Sequence, residues 1–173
     1  MVNGHPDPRP ARFCSALCDA YEEGARAAGW TVRRLNVGAL SATFDCLAGS
    51  GALEEALKDI QWATQMTVVF PLWGDQAPPG LRTLFQENRA RGRLDSHPAD
   101  EKPVRMVITM EMPAFLQRAM LRRNMYTDDV GGNIALPGFS EQQRDFIGSV
   151  ASIALEQRRW WLETMRKNGR RAA

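Results

Sequence analysis

The sequence predicts an α/β fold with a mainly parallel sheet that is covered by helices on both faces. Four segments rich in apolar and β-branched residues are predicted strands: 31–37, 65–71, 103–110 and 144–150. Helical segments alternate with them, near residues 12–28, 52–63, 79–91, 113–123 and 152–168. Alternation of this kind predicts βαβ units, which build doubly wound parallel sheets. No internal repeat or long linker divides the chain, so a single domain over residues 1–173 is expected.

The first helix is the clearest of these elements. Apolar residues recur at helical spacing from Phe13 to Ala28, and Gly29 follows at the expected end. The turn-rich sequence NGHPDPRPAR precedes this helix and leaves only residues 1–3 for a first strand. The first strand is therefore expected to be unusually short, unless the chain as given begins part-way through it.

Composition limits the class of protein. The chain is 44% hydrophobic and 24% charged, which is typical of a globular domain, and its net charge of +2 is too small to indicate nucleic-acid binding. The basic segment at residues 156–173 is interpreted as a solvated final helix, rather than an arm for nucleic acid, with Trp160 and Trp161 covering the core and a dimer surface. No apolar run has the length of a membrane span, and residues 1–10 lack the core of a signal peptide. A cytoplasmic location is predicted.

The three cysteines do not predict a disulfide framework, because their number is odd and no secretion signal is present. Cys14 and Cys18 are four residues apart, so they would share one face of the first helix. A metal or redox pair is one interpretation, and a pair of small core residues is the favoured one. His5 and His97 are the only histidines, so no metal site is predicted.

Three loops would meet at the carboxyl ends of the predicted strands, which is where open α/β sheets bind ligands. They are GHPDPRPARFC (4–14), PLWGDQAPP (71–79) and TMEMPAF (109–115). The first loop leads into a helix N-terminus, whose free N–H groups and dipole favour a phosphate. Arg9 and Arg12 add positive charge there. An ordinary proline-rich turn is the alternative interpretation of this loop.

The second loop places a tryptophan just after an apolar strand. Trp73 is either a core residue beneath a helix or a flat surface beside a ligand. Pro71 has no N–H and is expected to end the strand. The amides of Trp73, Gly74 and Asp75 would then have no partners in the sheet and would face a planar ligand.

Taken together, the three loops resemble those of the flavodoxin-like NAD(P)H:quinone oxidoreductases of the flavodoxin-2 type. The resemblance is carried by GHPD ahead of an aromatic residue, by VVFPLWGDQAPPGLRTLF, and by VITMEMP. It extends over nearly the whole chain, and the middle motif is the most specific. It implies a three-layer fold with a five-stranded parallel sheet in the order 2-1-3-4-5. A flavin would lie at the switch between the first and third strands.

The resemblance also implies which residues would hold the flavin. The residues near its phosphate and ribityl chain would be His5, Arg12, Phe13 and Cys14. Those beside the isoalloxazine ring would be Pro71, Leu72, Trp73, Gly74 and Asp75. Those at the pyrimidine edge would be Thr109, Met110 and Glu111. Tyr126 is the one candidate for contact with substrate, and no catalytic residue is assigned.

The implied function is hydride transfer from NAD(P)H, through FMN or FAD, to a quinone or similar small-molecule acceptor, in a homodimer. FMN is favoured because the short chain offers no evident adenosine pocket. Gly74, Asp75 and Glu111 depart from the residues that the family usually has. These departures and the short first strand favour the alternative, a flavodoxin-like binding or regulatory module with weakened or lost catalysis. An azo- or nitro-reductase that uses the same flavin is a third interpretation.

Overall fold

The computed structural model describes residues 1–7, 9–44, 51–73, 76–91, 102–113 and 139–171. The strands are β1 (Val2–Asn3), β2 (Leu35–Asn36), β3 (Met66–Leu72), β4 (Lys102–Met110) and β5 (Phe139–Ile147). The helices are α1 (Phe13–Ala27), α2 (Val37–Phe44), α3 (Gly51–Trp62), α4 (Pro79–Arg91) and α5 (Leu155–Arg170). The five strands form one parallel sheet in the order β2-β1-β3-β4-β5. This order and the two-residue first strand confirm the predicted fold.

Several element boundaries differ from those predicted. β2 covers only two residues of the predicted strand 31–37, and α2 follows it directly where no helix was predicted. β5 begins at Phe139 and ends at Ile147, earlier than the predicted 144–150. The prediction missed its first half because the polar sequence SEQQRD lacks the apolar signal of a buried strand. Ser149 then adopts a φ of 53°, which no strand continues through. The predicted helix at 113–123 lies almost entirely outside the described residues.

β3 is the centre of the sheet. All seven of its residues are buried, and it pairs with β1 on one side and β4 on the other. Val68 lies opposite Val2 of β1 and opposite Met106 of β4. A parallel strand buried on both faces needs a continuous apolar sequence, and MTVVFPL provides one. Because all the strands run the same way, the loops that follow them lie along one edge.

Two apolar clusters fill the space between the sheet and the helices. One face packs Val68 and Phe70 against residues of α3 and α4. The other packs Val69 and Val107 against α1 and α5. Cys14 and Cys18 lie in this second cluster, buried and without a disulfide, which confirms the core interpretation. Cys46 lies outside the described residues. Among the described helices, none combines the length and apolarity needed to cross a bilayer.

α1 and α5 approach each other through two glycines. A Cβ at Gly24 would lie 2.0 Å from the carbonyl oxygen of Arg166, and a Cβ at Gly169 would lie 2.2 Å from that of Tyr21. The two backbones are therefore in direct contact. Trp161 of α5 packs against the core, as predicted, whereas Trp160 is 59% exposed.

Replacing Gly24 with alanine tests this contact. We expect Gly24→Ala to lower the free energy of unfolding by about 2–3 kcal/mol, because a Cβ there collides with backbone rather than with a movable side chain. Urea unfolding followed by circular dichroism measures the change. Gly51→Ala is the matched control, since within the described residues a Cβ at Gly51 meets nothing within 4 Å. An equal loss in the two variants would contradict the proposed close approach.

Candidate functional site

A cleft of about 440 Å³ opens at the carboxyl edge of the sheet, and we call it the carboxyl-edge cleft. It is bordered by the loops after β1, β3, β4 and β5. Every predicted flavin-site residue that the structure describes lines it: His5, Arg12, Phe13, Cys14, Pro71, Leu72, Trp73, Thr109, Met110 and Glu111. Gly74, Asp75 and Tyr126 lie outside the described residues. The three loops that the sequence singled out therefore meet around one cavity.

Two arginines at the start of α1 share one carboxylate. Oδ2 of Asp7 accepts hydrogen bonds from Nη2 of Arg9 and Nη2 of Arg12, each at 2.6 Å. Hydrogen bonds from Arg9, and to a smaller extent from Arg12, hold the pKa of Asp7 far below its usual range. This carboxyl is therefore ionised at any physiological pH. The cluster keeps a net charge of +1. It lies at a helix N-terminus that no side chain among the described residues caps.

His5 is held in one tautomer. Its Nδ1 accepts a hydrogen bond from the Asp7 amide at 3.0 Å, so the neutral ring carries its proton on Nε2. Burial lowers the pKa of His5, which favours this neutral form at pH 7. The ring meets Trp73 edge to face, with centroids 6.0 Å apart and planes at 83°. This contact joins the loop after β1 to the loop after β3.

Polar residues at the ends of β1 and β2 fix the first loop. Oδ1 of the fully buried Asn3 accepts from the His5 amide at 3.2 Å, and its Nδ2 donates to Oδ1 of Asn36 at 3.2 Å. Gly38 of α2 lies against the same loop, because a Cβ there would be 2.3 Å from the carbonyl oxygen of Pro6. These supports were not predicted from the sequence. An asparagine that ends each of two apolar strands was the available signal.

The strand before the second loop is longer than predicted. β3 was expected to end at Pro71, but it continues through Pro71 to Leu72. Val69 accepts a hydrogen bond from Gly4 on the β1 side, and Pro71, two residues on, faces the same side beyond the end of β1. Its missing N–H therefore costs the sheet no hydrogen bond, while β4 continues to pair on the other side.

The amide of Trp73 was expected to be free for a ligand, and this is wrong. It donates to the carbonyl oxygen of Gln76 at 3.2 Å, and the Gln76 amide donates back to the Trp73 carbonyl at 3.3 Å. The chain reverses here and satisfies its own backbone groups. The Trp73 side chain is 51% exposed, so it is not a core residue. The group that Trp73 presents to the cleft is therefore its indole ring.

Cys14 is a buried link between α1 and β4. Its Sγ lies 3.3 Å from Oγ1 of Thr109. A helix N-terminus ordinarily lowers the pKa of a thiol, but burial is the stronger effect here and raises the pKa of Cys14 to about 11. Cys14 is therefore a neutral packing residue in the wall of the cleft and not a nucleophile.

A fourth loop, after β5, also borders the cleft and was not predicted. The Val150 amide donates to the Met110 carbonyl at 3.1 Å, and the Ser149 amide donates to the Met112 carbonyl at 3.2 Å. The lining residues that the sequence analysis did not assign are Pro6, Asp7, Ala11 and Val150. Asp7 could have been assigned from the sequence, because it belongs to the GHPD motif. Val150 follows from topology, since β5 is the parallel neighbour of β4.

A family model described as a flavodoxin-like fold, Flavodoxin_2, matches residues 1–141. The chain belongs to this flavodoxin-like family. The resemblance drawn from the three loop motifs is thereby confirmed at the level of the family. A search of curated protein sequences found no significant match.

Solved structures of similar fold cover nearly the whole chain. The NAD(P)H:quinone oxidoreductase from Methanothermobacter marburgensis has a TM-score of 0.71 at 17% identity, covering 99% of this chain and 94% of its own. An azoreductase from Bacillus anthracis has a TM-score of 0.61 at 18% identity, with 98% and 97% covered. An FMN-dependent NADH-azoreductase from the same species, in complex with FMN, has a TM-score of 0.60 at 10% identity, with 99% and 97% covered. At these identities the similarity establishes the shared fold.

The burial of Cys14 predicts its reactivity. At pH 8 we expect iodoacetamide to label Cys14 roughly 100-fold more slowly in the folded protein than in urea, because its thiol is both shielded and protonated. Mass spectrometry of tryptic peptides measures the two rates. Cys18, whose pKa burial also raises, should behave in the same way. Rapid labelling of Cys14 in the folded state would show that the thiol is accessible and ionised.

Proposed function

We propose that this protein is a flavin-dependent oxidoreductase, in which hydride passes from NAD(P)H through a flavin to a quinone or similar acceptor. The carboxyl-edge cleft is the proposed flavin site. The observation that carries the proposal is the meeting of three motif-bearing loops around one cavity at the switch between β1 and β3. The names of the similar structures, a quinone oxidoreductase and two azoreductases, support the same chemistry.

The cleft suits a flavin in size and in the groups that it presents. Its volume of about 440 Å³ lies within the range of small-molecule sites. The cleft is lined by the start of α1, where no described side chain caps the helix, and by Arg12, and both offer donors for a phosphate. The exposed ring of Trp73 also lines it and offers an aromatic surface. The charged and planar parts of FMN would each find matching groups.

The residues of the cleft would bind, orient and shield. Arg12 and the first amides of α1 would hold the phosphate, and Trp73 with Leu72 would contact the ring. His5 would supply a hydrogen-bond donor, since its Nε2 carries the proton. Cys14 and Thr109, which are buried and satisfy each other's polar atoms, would exclude water from beneath the site. The bound flavin would supply the hydride chemistry itself, so no protein nucleophile is required.

FMN is the form of flavin that we propose, with FAD as the alternative, because the described residues suit one phosphate at the start of α1. The quinone-type acceptor follows from the family resemblance and from the name of the archaeal structure. A homodimer, a single domain over residues 1–173 and a cytoplasmic location complete the proposal.

Two carboxylates favour a second candidate, a flavodoxin-like module that binds ligand with little or no catalysis. Asp7 already occupies the arginines at the phosphate end. Glu111 lies exposed in the wall of the cleft, where its charge would oppose an anionic reduced flavin. Both would weaken binding or reduction without changing the fold.

A flavin titration followed by a turnover assay separates the two candidates. Purified protein should acquire a yellow colour on incubation with FMN, and should then oxidise NADH or NADPH when menadione is added. FMN binding without reduction by either nicotinamide would favour the binding module. Protein that takes up neither FMN nor FAD at millimolar concentration would exclude both.

Trp73 gives the first test of where the flavin ring lies. We expect Trp73→Ala to weaken FMN binding about tenfold, because an aromatic contact of this kind contributes roughly 1–1.5 kcal/mol. Fluorescence titration of FMN measures the dissociation constant. Trp160→Ala is the matched control, since Trp160 is similarly exposed but lies on α5 and does not line the cleft. An unchanged dissociation constant for FMN in Trp73→Ala would show that the flavin ring does not contact Trp73.

Asp7 gives a test of the phosphate end. We expect Asp7→Asn to tighten FMN binding roughly fivefold, because it frees two arginines and removes a negative charge near the phosphate. Binding of riboflavin, which has no phosphate, should not change. Asp19→Asn, which breaks the Asp19–Arg34 pair outside the cleft, is the control. Equal effects on FMN and riboflavin would show that Asp7 does not act through the phosphate.

A further inference from the structure

Arg34 is a largely buried arginine that does not line the carboxyl-edge cleft. It immediately precedes β2, near the amino edge of the sheet, which is opposite the cleft. Its side chain is only 19% exposed. Nη1 donates to Oδ1 of Asp19 and Nη2 donates to Oγ of Ser15 at 2.8 Å, and both acceptors belong to α1. Nε donates to Oδ1 of Asn36 at 3.2 Å. One planar group therefore joins α1 to β2.

A chain of hydrogen bonds continues from Asn36 into the first loop. Asn36 is the register partner of Asn3, and its Oδ1 also accepts from Nδ2 of Asn3 at 3.2 Å. Oδ1 of Asn3 accepts from the His5 amide at 3.2 Å. Nδ1 of His5 accepts from the Asp7 amide at 3.0 Å. Four hydrogen bonds in series thus connect Arg34 to the loop that borders the cleft.

The donors at the two ends of this chain fix how both asparagine side chains are turned. Nε–H of Arg34 and the backbone N–H of His5 can only donate, so each has to face an amide oxygen. With both oxygens placed in this way, Nδ2 of Asn3 meets Oδ1 of Asn36. Turning either amide over would set donor against donor, or acceptor against acceptor. Asn3 is fully buried, so its polar atoms have no water to turn to.

We propose that Arg34 is a positioning residue of the carboxyl-edge cleft, which acts through Asn36 and Asn3 to hold His5 with its Nε2–H available to a ligand. The use of that N–H by a flavin rests on the proposed function, whereas the hydrogen-bond chain exists without a ligand. Arginine suits this role because its rigid fork bonds α1 and Asn36 at the same time, which the single ammonium group of lysine cannot do.

Arg34 also stabilises the fold directly, and this second role is separable. Its contacts with Ser15 and Asp19 hold α1 whether or not Asn36 is present. The chain to the first loop leaves Arg34 through Nε alone, so loss of the Asp19 pair does not interrupt it. A change at Arg34 therefore reaches His5 only through Asn36, while its effect on stability does not require Asn36.

Substitution of Arg34 by methionine tests the proposal in the ligand-free protein. We expect Arg34→Met to lower the hydrogen-exchange protection of the His5 and Asp7 amides roughly tenfold, measured by NMR. At pH 8 the ring is neutral, and its ¹⁵N shifts should change from a single Nε2–H tautomer to a mixture. Arg34→Lys, which keeps the charge without the fork, should act in the same direction.

A double-mutant cycle with Asn36 separates positioning from stability. In an Asn36→Leu background, we expect Arg34→Met to leave the His5 amide and tautomer unchanged and still to lower Tm. Asn36→Asp keeps an acceptor for both donors and should retain the protection. Effects of Arg34→Met on the His5 amide that are the same with and without Asn36 would overturn the proposal.

Arg33→Met is the matched control, because it makes the same change at the next residue. Arg33 lies on the other face of the sheet, where it pairs with Asp59 at 2.7 Å. It should lower Tm without changing the His5 amide, and an equal loss of protection in the two variants would show a merely structural role. The dissociation constant of FMN should rise about fivefold in Arg34→Met and stay constant in Arg33→Met.

The failure of this proposal is distinguishable from the failure of the proposed function. The exchange and tautomer measurements are made without flavin, so an unchanged His5 in Arg34→Met contradicts the positioning role alone. Failure of the unaltered protein to take up FMN would contradict the proposed function instead. An FMN dissociation constant that is unchanged in Arg34→Met, while the His5 tautomer changes, would overturn the link between the chain and the ligand.

Discussion

The parallel pairing of β3 with both β1 and β4 is the constraint on which the rest of the structure depends. It sets Val68 between Val2 and Met106, and so aligns the carboxyl ends of these strands at one edge. The loops that follow have to meet there, which creates the carboxyl-edge cleft. The same register leaves the first residues of β3 beyond the reach of the short β1, where a second cleft of about 210 Å³ opens at the opposite edge of the sheet. Both clefts are consequences of one alignment.

The carboxyl-edge cleft is held in shape mainly by backbone and short polar contacts. Asn3 and Asn36 secure the first loop, the Trp73–Gln76 reversal secures the second, and the Val150–Met110 bond ties the last two together. Its electrostatics are more moderate than two arginines at a helix N-terminus suggest, because Asp7 neutralises one of them. A ligand phosphate would compete with this internal carboxylate. We therefore expect Asp7 to lower the affinity of the cleft for a phosphate-bearing ligand.

Much of this could be predicted from the sequence, since the fold class, the short β1 and the three loops rest on local patterns, and the strand order was implied by the family resemblance. Pro71 misled the prediction because its effect depends on where the neighbouring strand ends, which is a tertiary property. The Trp73 amide was misjudged because its partner Gln76 belongs to the turn itself. The predicted position of β5 was too late in the chain, because the polar residues at its start do not show the apolar alternation of a strand. The asparagines that end β1 and β2 were a usable signal for the contact between Asn3 and Asn36, whereas the support from Gly38 arises from packing that no local pattern encodes.

The central claim is that the carboxyl-edge cleft binds FMN, with the phosphate at α1 and the ring at Trp73. Amide hydrogen exchange, compared with and without saturating FMN, tests it most directly because it locates the ligand whatever its chemistry. The account predicts new protection in residues 5–14, 72–73 and 109–111, and no change in residues 30–33 and 63–66. Protection at the amino edge alone, or at neither edge, would contradict it.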